Sequence, residues 1–196
     1  MSVSAEDVYR RAARILVSGQ RVELTTLATE LHVSRATLFR KAGGREQILG
    51  EAMWLMANNS LTAATRRWQG AYGTAARDRD GILRSVRVIT EHGANTAADP
   101  GVRRLLDEEP KLAMRVLTDP FGALQPRMIA AVRGLIDSDA QRASLVPLVE
   151  LDNLAYAVVR LGESFLYADL LAGRRPNIPN ANTLVAALIE GALRPS

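Results

Sequence analysis

The chain has 196 residues, 47% of them hydrophobic, with no cysteine and only two histidines, His32 and His92. That length can bury a core without cross-links, and the missing thiols exclude disulfides and thiolate centres, so neither a metal nor a cofactor is expected. The net charge of +4 is unevenly placed: residues 1–50 hold eight Lys/Arg against five Asp/Glu, the bias of a segment that meets a polyanion.

Aromatic residues make up 5% of the chain, and no alternating β-branched run reaches strand length, so an all-α protein is expected. Ser4 and Asp7 fit a capping box, and Val8, Ala12, Ile15 and Leu16 form one apolar stripe ending at Gly19. A short helix follows through Leu24, Leu27, Ala28 and Leu31, then a turn at His32-Val33-Ser34 and another short helix from Arg35 to about Lys41. Gly43-Gly44 breaks the pattern before a long helix from Arg45 to about Gln69. Residues 70–80 read as a loop, and further helices are expected over 80–95, 101–117, 121–137, 147–172 and 181–193. Pro110 and Pro126 are places where a helix starts or kinks. The expected division is a small, basic N-terminal domain over 1–46 and a larger helical domain over 47–196. The start of the chain lacks a leader's apolar core, and no segment approaches the roughly 20 apolar residues of a spanning helix. A cytoplasmic protein without membrane contact is therefore expected.

Residues 24–41 carry the spacing of a helix-turn-helix: Leu27, Ala28, Leu31, Val33 and Leu38 fix two short helices at a steep angle. Ser34 is placed to cap the second helix, leaving Arg35, Ala36 and Thr37 at the end that enters a major groove. Arginine can hold guanine with two hydrogen bonds, and Ala36 or the Thr37 methyl can pack on a thymine methyl. Arg40, Lys41, Thr25, Thr26 and Arg45 suit phosphates.

This segment resembles the TetR family through Leu27-Ala28, His32-Val33-Ser34, Thr37-Leu38-Phe39 and Arg45-Glu46, over about residues 5–55. Four positions depart from the pattern. Phe39 stands where a tyrosine hydroxyl commonly reaches phosphate, and Lys41 replaces a common aromatic. His32 replaces the turn glycine yet tolerates a left-handed backbone, and Glu23 is a poor N-cap. The resemblance implies a TetR-like all-α fold: a three-helix N-terminal helix-turn-helix domain, with a C-terminal helical domain for ligand binding and dimerisation. The implied function is a homodimeric repressor that holds a double-stranded operator with two half-sites and releases it when a small effector binds.

Residues 151–171 are too apolar for a helix with one solvated face. Leu151, Leu154, Val158, Gly162 and Phe165 form one stripe, and Leu148, Ala155, Val159, Leu166 and Leu170 form another. With Leu184 and Leu188 of the last helix, this segment would build a four-helix dimer interface, in which Ala155 and Gly162 permit close approach. The runs Leu161 to Asp169, Arg174 to Ile178, Arg35 to Arg40 and Gly44 to Gly50 are similar to the QsdR branch of the family. That likeness implies a lactone effector, such as an acyl-homoserine lactone or a γ-butyrolactone. Candidates to line its pocket are Trp54, Trp68, Tyr156 and Tyr167, with Phe121, Met114 and Met128 as walls and His92, Asn153, Arg160 or Glu163 as polar anchors. The alternatives are a regulator that works without a small ligand and a helical enzyme. No Ser-His-Asp spacing or glycine-rich phosphate loop accompanies Glu150 and Asp152, so no enzyme is expected.

Overall fold

The computed structural model describes residues 3–195, apart from the side chains of residues 166 and 170. The expected capping box starts α1 (Ala5–Val17): Asp7 N–H donates to Ser4 Oγ at 3.1 Å, and Ser4 N–H donates to Asp7 Oδ2 at 2.9 Å. α2 (Leu24–Glu30) begins after Glu23, which gives no side-chain cap. The turn that follows holds His32 at φ 53°, the left-handed conformation that its residue type tolerates. α3 (Arg35–Ala42) ends at Gly43, φ 80°, and α4 (Arg45–Tyr72) runs on from there.

α5 (Arg84–Ala98) starts later than expected because Asp78 Oδ1 accepts from the N–H groups of Asp80 and Ile82, both at 2.9 Å, and closes a turn there. One helix was expected over 101–117, but two are found, α6 (Pro100–Glu108) and α7 (Pro110–Thr118). Pro110 lacks an N–H and crowds the residue before it, and Glu109 accordingly leaves the helical region at φ −136°, ψ 54°. α8 (Gln125–Arg142) begins four residues after the expected 121, since Asp119 Oδ1 holds Phe121 N–H in a turn at 2.9 Å. α9 (Leu151–Leu171) and α10 (Ile178–Gly191) complete the helices. Two short strands were not expected: β1 (Leu145–Pro147) pairs antiparallel with β2 (Leu193–Pro195), Val146 opposite Arg194.

The chain forms two compact units, one of residues up to Asn58 with Ala98–Pro126, the other of Asn59–Ala97 with residues from Arg127 onward. The division anticipated at residue 46 falls just inside α4, past the end of α3 at Ala42. Packing adds the first half of α4, α6 and α7 to the unit of the short helices, because α6 lies directly on α1. A Cβ on Gly101 would stand 2.1 Å from the Leu16 carbonyl oxygen, so only glycine permits that approach. In the second unit, Leu83, Val86, Val132, Ile136, Leu154, Val158, Val185 and Ile189 form the core, and Leu61, Ala64 and Val88 a smaller cluster. A buried ion pair, Arg84 Nε to Asp139 Oδ1 at 2.9 Å, ties α5 to α8. Among the described residues no helix is long and apolar enough to cross a membrane.

Candidate functional site

α2, the turn and α3 stand as the helix-turn-helix that the spacing predicts. Ser34 Oγ accepts from Thr37 N–H at 3.1 Å, fixing the first turn of α3, and donates to Thr37 Oγ1 at 3.0 Å, which leaves Thr37 half-buried. Arg35, Ala36, Phe39 and Arg40 face solvent on α3, and Thr25 and Thr26 do so at the start of α2. Two cations expected at phosphates are drawn inward. Lys41 is half-buried and donates to the Val3 carbonyl at 2.5 Å. Arg45 donates from Nε to the Val22 carbonyl and from a terminal nitrogen to Glu109 Oε1, both at 2.7 Å.

Glu109 also meets Arg21 Nε at 3.2 Å. The hydrogen bonds from Arg45 hold the Glu109 carboxyl below the usual carboxylate range, and the same bonds raise the pKa of Arg45. No sequence pattern connects Arg45 with a residue 64 positions away, so this pair was not anticipated. It anchors the start of α4, separated from α3 by Gly43 and Gly44, to the junction of α6 and α7.

The effector candidates divide between the units. In the first, Trp54 and Met114 are half-buried, and Phe121, expected as a pocket wall, is 95% exposed because its turn projects it outward. In the second, Asn153, Tyr156 and Arg160 lie on the exposed face of α9, where a pocket lining was expected. Their spacing follows the helix repeat on the side opposite Leu154 and Val158. Arg160 pairs with Glu163 at 2.7 Å. Trp68 is buried with its indole N–H given to the Ala75 carbonyl at 2.9 Å, its ring 4.6 Å from that of Tyr72. Tyr167 is buried, which pushes its phenol pKa up, and Met128 packs against both apolar clusters. Burial lowers the pKa of His92 to about 4, so its ring is neutral near pH 7, and its enclosed Nδ1 has no hydrogen-bond partner among the described residues.

Residues 80–190 match the family described as "Tetracyclin repressor-like, C-terminal domain", which is more than half of the chain. The chain belongs to the TetR family of transcriptional regulators. The fold of this TetR-family regulator is similar to that of the transcriptional repressor QsdR of R. erythropolis, with TM-score 0.79, 22% identity, and 98% of this chain and 96% of that one covered. A 145-residue stretch is 29% identical to bifunctional glutamine synthetase adenylyltransferase/adenylyl-removing enzymes of Mycobacterium avium (strain 104) and Mycolicibacterium paratuberculosis (strain ATCC BAA-968 / K-10). It takes in 69% of this chain but only 14% of the length of those curated relatives.

Three of the dimerisation candidates of this regulator require correction. Leu154, Ala155 and Val158 lie in the second unit's own core and face no free surface. Leu151 and Leu188 are partly buried against that core, and Phe165 is half-buried. Leu184 is exposed, and the surroundings of Gly162 leave room for a Cβ. Leu166 and Leu170 lie outside the described side chains. Helical period alone could not say which apolar face of α9 turns inward.

Proposed function

We propose that this TetR-family regulator is a homodimeric repressor that holds a two-half-site operator through α3 and releases it when a small neutral molecule occupies the second unit. The observation that carries the reading is the surface of α3: a helix capped by Ser34, rigidly backed by buried Leu38 and Ala42, and presenting Arg35, Ala36, Phe39 and Arg40 to solvent. Arg35, at the N-terminal end, reads bases; Thr25, Thr26 and Arg40 hold phosphates. Arg45 and Lys41 position this surface through their contacts with Val22, Glu109 and Val3.

For the effector, the supporting observation is His92 Nδ1, an enclosed polar atom without a partner among the described residues, on a helix that contributes Val88 and Ile89 to apolar packing. A neutral imidazole suits a neutral carbonyl or hydroxyl, which a lactone offers, and an acyl chain suits the apolar side chains packed around Met128. α4 supplies residues to both units, so a ligand that favours one setting of this helix biases the separation of the two α3 helices.

The test is selection of bound fragments from genomic DNA, followed by titration of lactones of graded acyl length against the protein–operator complex. Enrichment of a two-half-site sequence is expected, with Arg35→Ala relaxing base preference by about 10-fold or more, the scale of a lost bidentate contact. Binding that is independent of sequence and unaffected by Arg35→Ala would reject the reader assignment. If no lactone binds, the effector assignment is rejected, and a lactone that binds yet leaves the operator complex intact would reject the switch.

A further inference from the structure

The surface of α3 contains an apolar side chain where solvent alone would favour a polar one. Phe39 is 63% exposed, and it lies three residues from exposed Ala36, so the two are neighbours on the helix surface. Arg35 and Arg40 flank this patch. One edge of the ring faces the turn into α4, where a Cβ added at Gly44 would come within 3.8 Å of Phe39 Cε2, and the rest of the ring is open.

A phenyl ring can neither donate a hydrogen bond to a phosphate oxygen nor pair with a polar base edge. Among the groups that base pairs offer in the major groove, the apolar one is the C5-methyl of thymine. We propose that Phe39, with Ala36 beside it, reads a thymine methyl in each half-site, which makes position 39 a determinant of operator specificity rather than a phosphate contact. The proposal rests on the assignment of α3 as the reader. Arg35 stands one helical turn before Phe39 on the same face, so the guanine that Arg35 reads and the thymine that Phe39 reads belong to the same half-site.

The experiment uses the selected operator with each thymine replaced in turn by deoxyuridine, a change that removes only the methyl group. Wild-type protein should lose affinity at one thymine per half-site, by about 4-fold for a single buried methyl and about 15-fold when both half-sites are changed. Phe39→Ala and Phe39→Asn should bind the thymine and uracil operators equally, and Phe39→Leu should keep part of the discrimination. Because the ring is exposed, these variants should melt with the wild type. Equal binding of every deoxyuridine operator by the wild type, or discrimination retained by Phe39→Ala, would overturn the thymine contact while leaving α3 as the reader. Binding insensitive to all substitutions on α3 would overturn the reader assignment as well.

Discussion

Arg45 and His92 show how much one side chain's surroundings decide. Arg45 lies at the start of α4, where a cation could meet a phosphate, yet its guanidinium is held by the Val22 carbonyl and Glu109. Because Arg45 holds the folded pKa of Glu109 below its unfolded value, the pair's stabilisation is present above the ordinary glutamate range and is lost as pH falls through the folded pKa. Glu109→Gln should therefore cost about 1–2 kcal/mol at pH 7, between exposed and fully buried pairs. In thermal melts the gap between variant and wild type should close below about pH 4. A gap independent of pH would show that the carboxylate charge is not what matters. His92 acts in another window. Its folded pKa of about 4 is depressed by burial, so the unfolded state binds the extra proton between that value and the ordinary 6.5, and stability falls as pH drops through this range. The loss is at most about 3 kcal/mol, and His92→Leu should flatten the pH dependence of melting between those limits. An unchanged slope would mean that the ring takes up its proton without being exposed to solvent.

At the scale of elements, the approach of α6 to α1 depends on Gly101, whose missing side chain makes room for the Leu16 carbonyl. Backbone cannot yield as a flexible side chain does, so Gly101→Ala should destabilise the first unit by about 1–3 kcal/mol despite alanine's better helix propensity. Chemical denaturation would measure it; a stabilised variant would show that α6 can shift away freely. This glycine was not legible, because a glycine inside a helix reads only as a weak helix former. What was legible is local: the capping box of Ser4 and Asp7, the left-handed turn at His32, the Ser34 cap and the break at Gly43 each follow from a residue type in its own neighbourhood. The break at Glu109 was half-visible, since Pro110 announces an interruption without saying whether the helix kinks or ends. The β1–β2 pair was invisible, as each strand is three residues long and its partner lies far along the chain. The exposed α3 residues of the candidate site were legible from spacing. The interior contacts of Arg45 and Lys41 were not, because periodicity does not report which long side chains fold back.

The whole molecule poses the question of assembly, and the surface of α9 and α10 supplies the argument. Tyr156 is 52% exposed and Leu184 40%, with Leu171 also exposed, while Val158 and Ile189 on the opposite faces fill the core. In the homodimer proposed above, these apolar side chains on two adjacent helices would be covered by the second subunit, and a stable dimer needs roughly 1,000 Å² or more of such area. Leu184→Asp should therefore give a folded monomer, because the side chain is exposed in the protomer and would be an unpaired charge only at the interface. Val158→Asp places the same charge in the core and should unfold the second unit. Sedimentation and circular dichroism separate the two outcomes: loss of dimer with helicity retained for Leu184→Asp, loss of both for Val158→Asp. The monomer should hold single half-sites yet lose operator affinity on the order of 10²-fold, since the second half-site would no longer be engaged at high effective concentration. A wild type that sediments as a monomer at micromolar concentration, or a Leu184→Asp protein that remains dimeric, would move the interface away from this pair of helices.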